Sequence, residues 1–225
     1  MMTLSNRIAQ LRQSLPSQIR LIAVSKTVSV DKIRLAYEAG IRDFAESRLQ
    51  EALPKLTMLS DLDDICWHFI GTLQANKARK ILETFTWIHS VHNLAIAERL
   101  DRLATDLPQK PHICLQIKML PDANKQGWSV PELEADLAAL ADCQHLNIQG
   151  LMAILPLGLT PEQRLTTFQA TQELSQILSQ KTSLCFTELS MGMSDDYLEA
   201  IAAGATMIRL GRIIFGDRES SDSIP

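Results

Sequence analysis

A single (β/α)8 TIM barrel of the α/β class is the fold the sequence predicts. Three observations lead to it: eight short apolar runs, helical patterns between them, and 225 residues with 46% hydrophobic content, enough for one sizeable core. A doubly wound open sheet is the alternative. No GxGxxG turn follows the first run, which counts against a dinucleotide-binding version of that sheet.

The first run, RLIAVSK (20–26), leads straight into VDKIRLAYEAG. There Ile33, Ala36 and Tyr37 fall at helical spacing, and Gly40 stands where a C-terminal cap belongs. RDFAES (42–47), WHFIG (67–71) and WIHSV (87–91) are the next three strands, and the last is followed by the amphipathic NLAIAERLDRLATDL. HICLQIK (112–118) is the fifth. After it, SVPELEADLAALADC has Ser129 as N-cap, Pro131 in the first turn and Glu132 three residues beyond the cap. IQGLMAI (148–154), ELSMG (188–192) and MIRLG (207–211) complete the eight. Residues 1–217 are expected to form one domain, with 218–225 as a disordered tail.

Composition narrows the function. Lys+Arg number 22 against Asp+Glu 26, a net charge of −4, so no overall basic field exists to attract nucleic acid or an anionic membrane. Cys66, Cys114, Cys143 and Cys185 are widely spaced without a CxxC pair and read as ordinary buried thiols rather than metal ligands. Arg7 and Arg12 interrupt the N-terminal apolar residues, which argues against a signal peptide, and no run approaches about 18 apolar residues. A soluble, cytoplasmic protein is expected.

In a barrel of this kind the C-terminal strand ends open into the active-site mouth, and Lys26 ends the first strand. A lysine there either snorkels to solvent or, partly desolvated, offers a nucleophilic amine to an aldehyde. At the other end of the chain, Ser190-Met191-Gly192 and Gly211-Arg212 form two turns that present N–H groups after strands seven and eight, where phosphate binds in such barrels. Read separately, Ser194-Asp195-Asp196 is an N-cap with acidic first-turn residues and the glycines are turn glycines. Arg209 points inward one layer below Gly211 and needs a partner, either Glu188 or the ring nitrogen of a bound heterocycle. A phosphate site, an aldehyde-capturing lysine and a cation aimed at a ring nitrogen together describe pyridoxal 5′-phosphate.

The segments IAVSKT, WHFIGTLQANK, IHSV, KQGW, GLMAI and LSMGMSDDYLEAIAAGATMIRLGRIIFG resemble the pyridoxal-phosphate homeostasis protein family. Its barrel is similar to the N-terminal domain of bacterial alanine racemase, without the racemases' C-terminal β domain. The resemblance implies that Lys26 carries the cofactor as an internal aldimine. It also implies that Ser190 and the backbone of Met191, Gly192, Gly211 and Arg212 hold the phosphate and that Arg209 meets the pyridine nitrogen. Family members usually read FGEN where this chain has Phe44-Ala45-Glu46-Ser47, so Ser47 replaces a loop asparagine and keeps one donor. His89 either stacks on the cofactor or packs in the core. Asn76, with Gln74 and Lys77, either caps a helix or lines the mouth. His68 reads as a hydrogen-bonded core histidine, and Met152 and Met191 as barrel packing.

The function this implies is a holder: a protein that buffers or delivers pyridoxal phosphate, and with it other B6 vitamers, in amino- and keto-acid homeostasis. Transient contact with apo-enzymes that use the cofactor and a monomeric state go with it. Racemisation needs a base on each face of the substrate carbon. Lys26 supplies one, but the second domain that brings the racemases' tyrosine is not expected here, and neither Tyr37, on an outer helix, nor Tyr197, in a helix after strand seven, is well placed to replace it. A small amino-acid racemase or lyase is the rival from the enzyme class. A barrel for some other phosphorylated metabolite is a third alternative.

Overall fold

The computed structural model describes residues 2–122 and 124–216; the expected tail, 218–225, lies outside the described residues. Eight parallel strands close in sequence order, with the last pairing back onto the first. They are β1 (Arg20–Val24), β2 (Asp43–Glu46), β3 (Cys66–Phe69), β4 (Trp87–Val91), β5 (His112–Ile117), β6 (Asn147–Ala153), β7 (Glu188–Ser190) and β8 (Met207–Leu210). The barrel expectation holds. Seven of the eight predicted runs extend one or two residues beyond the hydrogen-bonded strand at the C-terminal end, because the chain there is already turning into a loop.

The intervening helices are α2 (Val30–Glu38), α3 (Leu49–Met58), α4 (Ala78–Thr84), α5 (Leu94–Ala104), α6 (Val130–Ala141), α7 (Pro161–Lys181) and α8 (Tyr197–Ala202), and α9 (Arg212–Phe215) follows β8. The N-terminal segment, considered above only as a leader, is helix α1 (Leu4–Ser14); Thr3 caps it and Ile8 and Leu11 are buried. Local chemistry sets several boundaries. Ser129 and Glu132 close the predicted capping box on α6, with the Ser129 N–H donating to the Glu132 carboxylate at 2.8 Å. Gly40 takes φ +95° just beyond α2, the left-handed conformation that ends a helix cheaply only with glycine.

Two apolar clusters result. The larger lies between the barrel wall and the helices; the smaller, Ile22, Ala45, Trp87, Cys114, Met152 and Met207, fills the barrel itself. Residues in register share a side of the sheet. Ile22 aligns with Asp43 and Arg209, Ala45 with His68, and Met152 with Ser190, so these polar side chains share the interior with the small cluster. Among the described residues no helix is long and apolar enough to cross a membrane.

Candidate functional site

The β1–α2 loop begins with Ser25, whose N–H still pairs with the Ala45 carbonyl at 2.9 Å, and then turns at Lys26 and Thr27. Lys26 is therefore the second residue past the strand and half-buried at the C-terminal rim. Thr27 is the one non-glycine residue with positive φ, +64°, among the described residues. A β-branched side chain in that region is strained by about 1–3 kcal/mol, a cost that clusters at functional sites. Ser25 is pinned from behind. Glu46 is fully buried at the end of β2, and its Oε1 accepts from Ser25 Oγ (2.7 Å) and Lys55 Nζ (2.7 Å); the same ammonium donates to the Ser25 carbonyl at 2.8 Å. Glu46 Oε2 is buried without a partner.

Across the rim, Gly211 lies against the end of β1: a Cβ built on it would sit 3.6 Å from Val24 O and Val24 Cβ. That contact brings the β8–α9 turn beside the loop that carries Lys26. No protein acceptor meets the N–H of Gly211 or Arg212 among the described residues. Gly192, at φ +89°, presses so closely on α8 that a Cβ would come within 2.7 Å of Ala200 Cβ, so only glycine gives this backbone path. Beyond it, the Met193 N–H donates to Asp196 Oδ1 at 2.6 Å, and Arg212 pairs with Asp195 in solvent. Asp196 is raised above the usual carboxylate range by burial, against the lowering effect of that Met193 N–H.

Below the rim the interior holds a continuous polar column. Arg209, 3% exposed, donates through Nη1 to the Ser190 carbonyl and Oγ, both at 2.6 Å, and through Nη2 to the Ala153 carbonyl at 3.0 Å. Ser190 Oγ lies 2.7 Å from His89 Nδ1, His89 Nε2 lies 2.9 Å from His68 Nδ1, and His68 Nε2 lies 2.9 Å from Asp43 Oδ1. Burial holds both histidines below their ordinary pKa, His89 well below; it lowers Arg209 to about 10. At the foot of the barrel, its N-terminal end, the Arg20 guanidinium covers the Trp87 ring at 5.3 Å, and Trp87 stacks on His112 at 4.5 Å.

Several expectations change. Arg209 does not pair with Glu188, which accepts from Thr206 instead (2.6 Å); carbonyls and a serine carry the buried cation. Ser190 Oγ and the Met191 N–H, expected to face phosphate, are spent inside, the first on Arg209 and His89 and the second on the Met207 carbonyl at 3.1 Å. His89 is wholly buried with both ring nitrogens engaged, whereas Met152 is interior packing, as expected. Asn76 is exposed in the β3–α4 loop, and the Ser47 carbonyl abuts Gly71 so tightly that a Cβ would lie 1.8 Å from it. Not all the thiols are buried: Cys114 and Cys143 are, while Cys66 is half-buried at the foot and Cys185 exposed in the loop before β7. Asp43, Cys66 and His68 bring their ligand atoms within 4.8 Å of one another, but His68 Nε2 is committed to Asp43, so the trio is closed by hydrogen bonding rather than open to a cation. Sequence reasoning missed Glu46, Lys55, Asp43 and the linked column. Its one available signal was the inward alternation of Asp43, His68 and His89.

Comparison with known proteins agrees with the fold. The alanine racemase N-terminal domain family matches residues 2–219. A Synechocystis protein called pyridoxal phosphate homeostasis protein is 60% identical over 205 residues, covering 91% of this chain and 94% of that one. PipY of Synechococcus elongatus, in a structure with PLP bound, superposes with a TM-score of 0.91 at 48% identity over 95% of this chain and 100% of its own. Alanine racemase of Clostridium difficile shares the fold, with a TM-score of 0.78 at 14% identity, over 97% of this chain but 58% of that one.

Proposed function

The chain belongs to the alanine racemase N-terminal domain family and to its pyridoxal phosphate homeostasis proteins, and from that premise we propose that it binds pyridoxal phosphate at the C-terminal rim and stores or hands on the cofactor without turning over a substrate. The observation that carries this is the contact of Gly211 with the end of β1, because it brings the loop that carries Lys26 beside N–H groups that meet no protein acceptor among the described residues. The donor set suits the group. An aldehyde needs an amine; a phosphate dianion needs N–H groups and is helped by the Arg212 cation; a pyridine nitrogen accepts a hydrogen bond, and Arg209 has two N–H groups left after its three bonds. When bound, pyridoxal phosphate supplies an electrophilic aldehyde and, if its ring is protonated, an electron sink.

The protein's own residues favour holding over catalysis. A guanidinium at the ring nitrogen opposes protonation there, because like charges repel, and an unprotonated ring withdraws electrons weakly. The Tyr37 hydroxyl is engaged with Asp64 on the outer surface, and Tyr197 is packed behind Gly192 at the start of α8. Ser25, clamped by Glu46 and Lys55, holds the base of the Lys26 turn still. Other B6 vitamers, apo-enzymes as recipients and a monomeric, cytoplasmic state belong to the same proposal.

The test is the absorbance of purified protein incubated with pyridoxal phosphate, before and after borohydride, beside Lys26→Ala. A yellow band that reduction fixes onto the wild type and that the variant lacks is expected. A wild-type chain that stays colourless would overturn the cofactor assignment. Chiral chromatography of amino acids incubated with loaded protein covers the enzyme rival: Lys26-dependent racemisation would displace the holder.

A further inference from the structure

Resting on the cofactor site just proposed, we propose that Asp43, at the opposite end of the barrel, is a positioning residue for it: the carboxylate sets the tautomers of His68 and His89 and thereby holds Ser190 as donor to His89 and acceptor from Arg209.

The direction of the column follows from its two ends. A guanidinium only donates and a carboxylate only accepts, so neither terminus can reverse. Asp43 Oδ1 requires a proton on His68 Nε2. A neutral His68 then presents a lone pair at Nδ1, which requires a proton on His89 Nε2. His89 Nδ1 is left as an acceptor and takes the Ser190 hydroxyl proton, while a Ser190 lone pair receives Arg209 Nη1–H. Every bond is satisfied in one direction, from Arg209 to Ser190, His89, His68 and Asp43. The other arrangement, with His89 protonated on Nδ1, would place two donors on Ser190 Oγ and leave its own proton to find another acceptor.

Neutral imidazoles are a condition of this order, and the site provides for it. His68 and His89 are fully buried, the positive charges of Arg20 and Arg209 and the His112 ring lie around them, and among the described residues the one carboxylate hydrogen-bonded to either is Asp43 itself. Chains of this kind polarise cooperatively, so a change at the foot is felt at the top. The foot is also where the column meets solvent, since the Asp43 side chain is 21% exposed.

The tautomers can be read by histidine ring-nitrogen NMR on the cofactor-free wild-type chain, which needs no variant and no bound cofactor. Both histidines protonated on Nε2 is the expected result; His89 protonated on Nδ1 overturns the proposal. Asp43→Ala should then shift the His89 ring nitrogens, although residue 43 does not touch His89. It should also move the absorbance band of bound pyridoxal phosphate and weaken its retention about fivefold, the equivalent of one net hydrogen bond. Asp43→Asn, whose amide oxygen still accepts from His68, should restore all three. Unmoved His89 resonances in Asp43→Ala, or moved resonances with an unchanged band and retention, overturn it as well. Failure of the cofactor site itself looks different: the wild type shows no band at all, whatever its tautomers.

Discussion

Two buried polar networks support the rim, and they carry charge in opposite ways. Under the β1–α2 loop, Glu46 and Lys55 meet in a contact ion pair with Ser25 between them, and one carboxylate oxygen is left without a partner. Inside the barrel, Arg209 and Asp43 stand at opposite ends of a chain whose middle is neutral. The first network clamps a backbone segment and depends on both charges staying close. The second spreads its charges apart and depends on two histidines staying unprotonated. Removing a charge should therefore damage the first, and adding a proton should damage the second.

The largest expected effect is in the clamp. Lys55→Met leaves the buried Glu46 carboxylate uncompensated, and chemical denaturation should show a loss of about 3–5 kcal/mol. Adding Glu46→Gln to it should return much of that loss; a double variant as unstable as the single would mean the pair is not the source. In the column, His89→Leu removes the link between Ser190 and His68 and strands a polar group on each side, for which roughly 2–4 kcal/mol is expected. A change below about 1 kcal/mol would show that the column is not a connected unit.

Acid separates the networks without mutation. Both histidines titrate below the ordinary 6.5 when folded, so between 6.5 and their folded values the unfolded chain binds more protons. The stability they contribute is complete above about pH 6.5 and falls as pH drops below it. A chain carrying His68→Gln and His89→Gln should lose that part of the slope, and an unchanged slope between pH 6.5 and 5 would place the sensitivity elsewhere. Thr27→Gly acts at the rim alone. Relief of the φ +64° strain, less the extra chain entropy of glycine, should raise stability by roughly 1 kcal/mol while loosening the Lys26 turn. Lower stability would mean the Thr27 hydroxyl, bonded to the Lys26 carbonyl at 2.6 Å, outweighs the strain.

How legible these regions were in the sequence follows from the range of their contacts. Lys26, Gly192 and Gly211 could be placed because strand ends and turn glycines are local signals, and the Ser129–Glu132 capping box spans three residues. The clamp was hidden because Glu46 reads as a strand residue, and Lys55 reaches it only after α3 folds back over β2. The column joins side chains from β2, β3, β4, β7 and β8. Alternation marks each as inward, but which of them share a layer depends on the stagger of the closed barrel, which no local pattern encodes. Ser190 shows the consequence: its position beside the expected phosphate turn was legible, whereas its commitment to His89 and Arg209 was not.

The smallest stability effect belongs to Arg212, and it distinguishes the rim from both networks. Its pair with Asp195 is solvent-exposed on both sides, and an exposed pair gains little because water screens it and two mobile side chains must be held. Arg212→Ala should leave unfolding within about 0.5 kcal/mol of wild type, the usual range for a surface change. Retention of pyridoxal phosphate should still fall severalfold, because a dianion at the rim loses a neighbouring cation while the residue 212 N–H remains. The loss should shrink as salt is raised, since the side chain would act through a screened field. A salt-independent loss would make Arg212 a direct side-chain ligand, and no loss would assign the phosphate to the backbone alone.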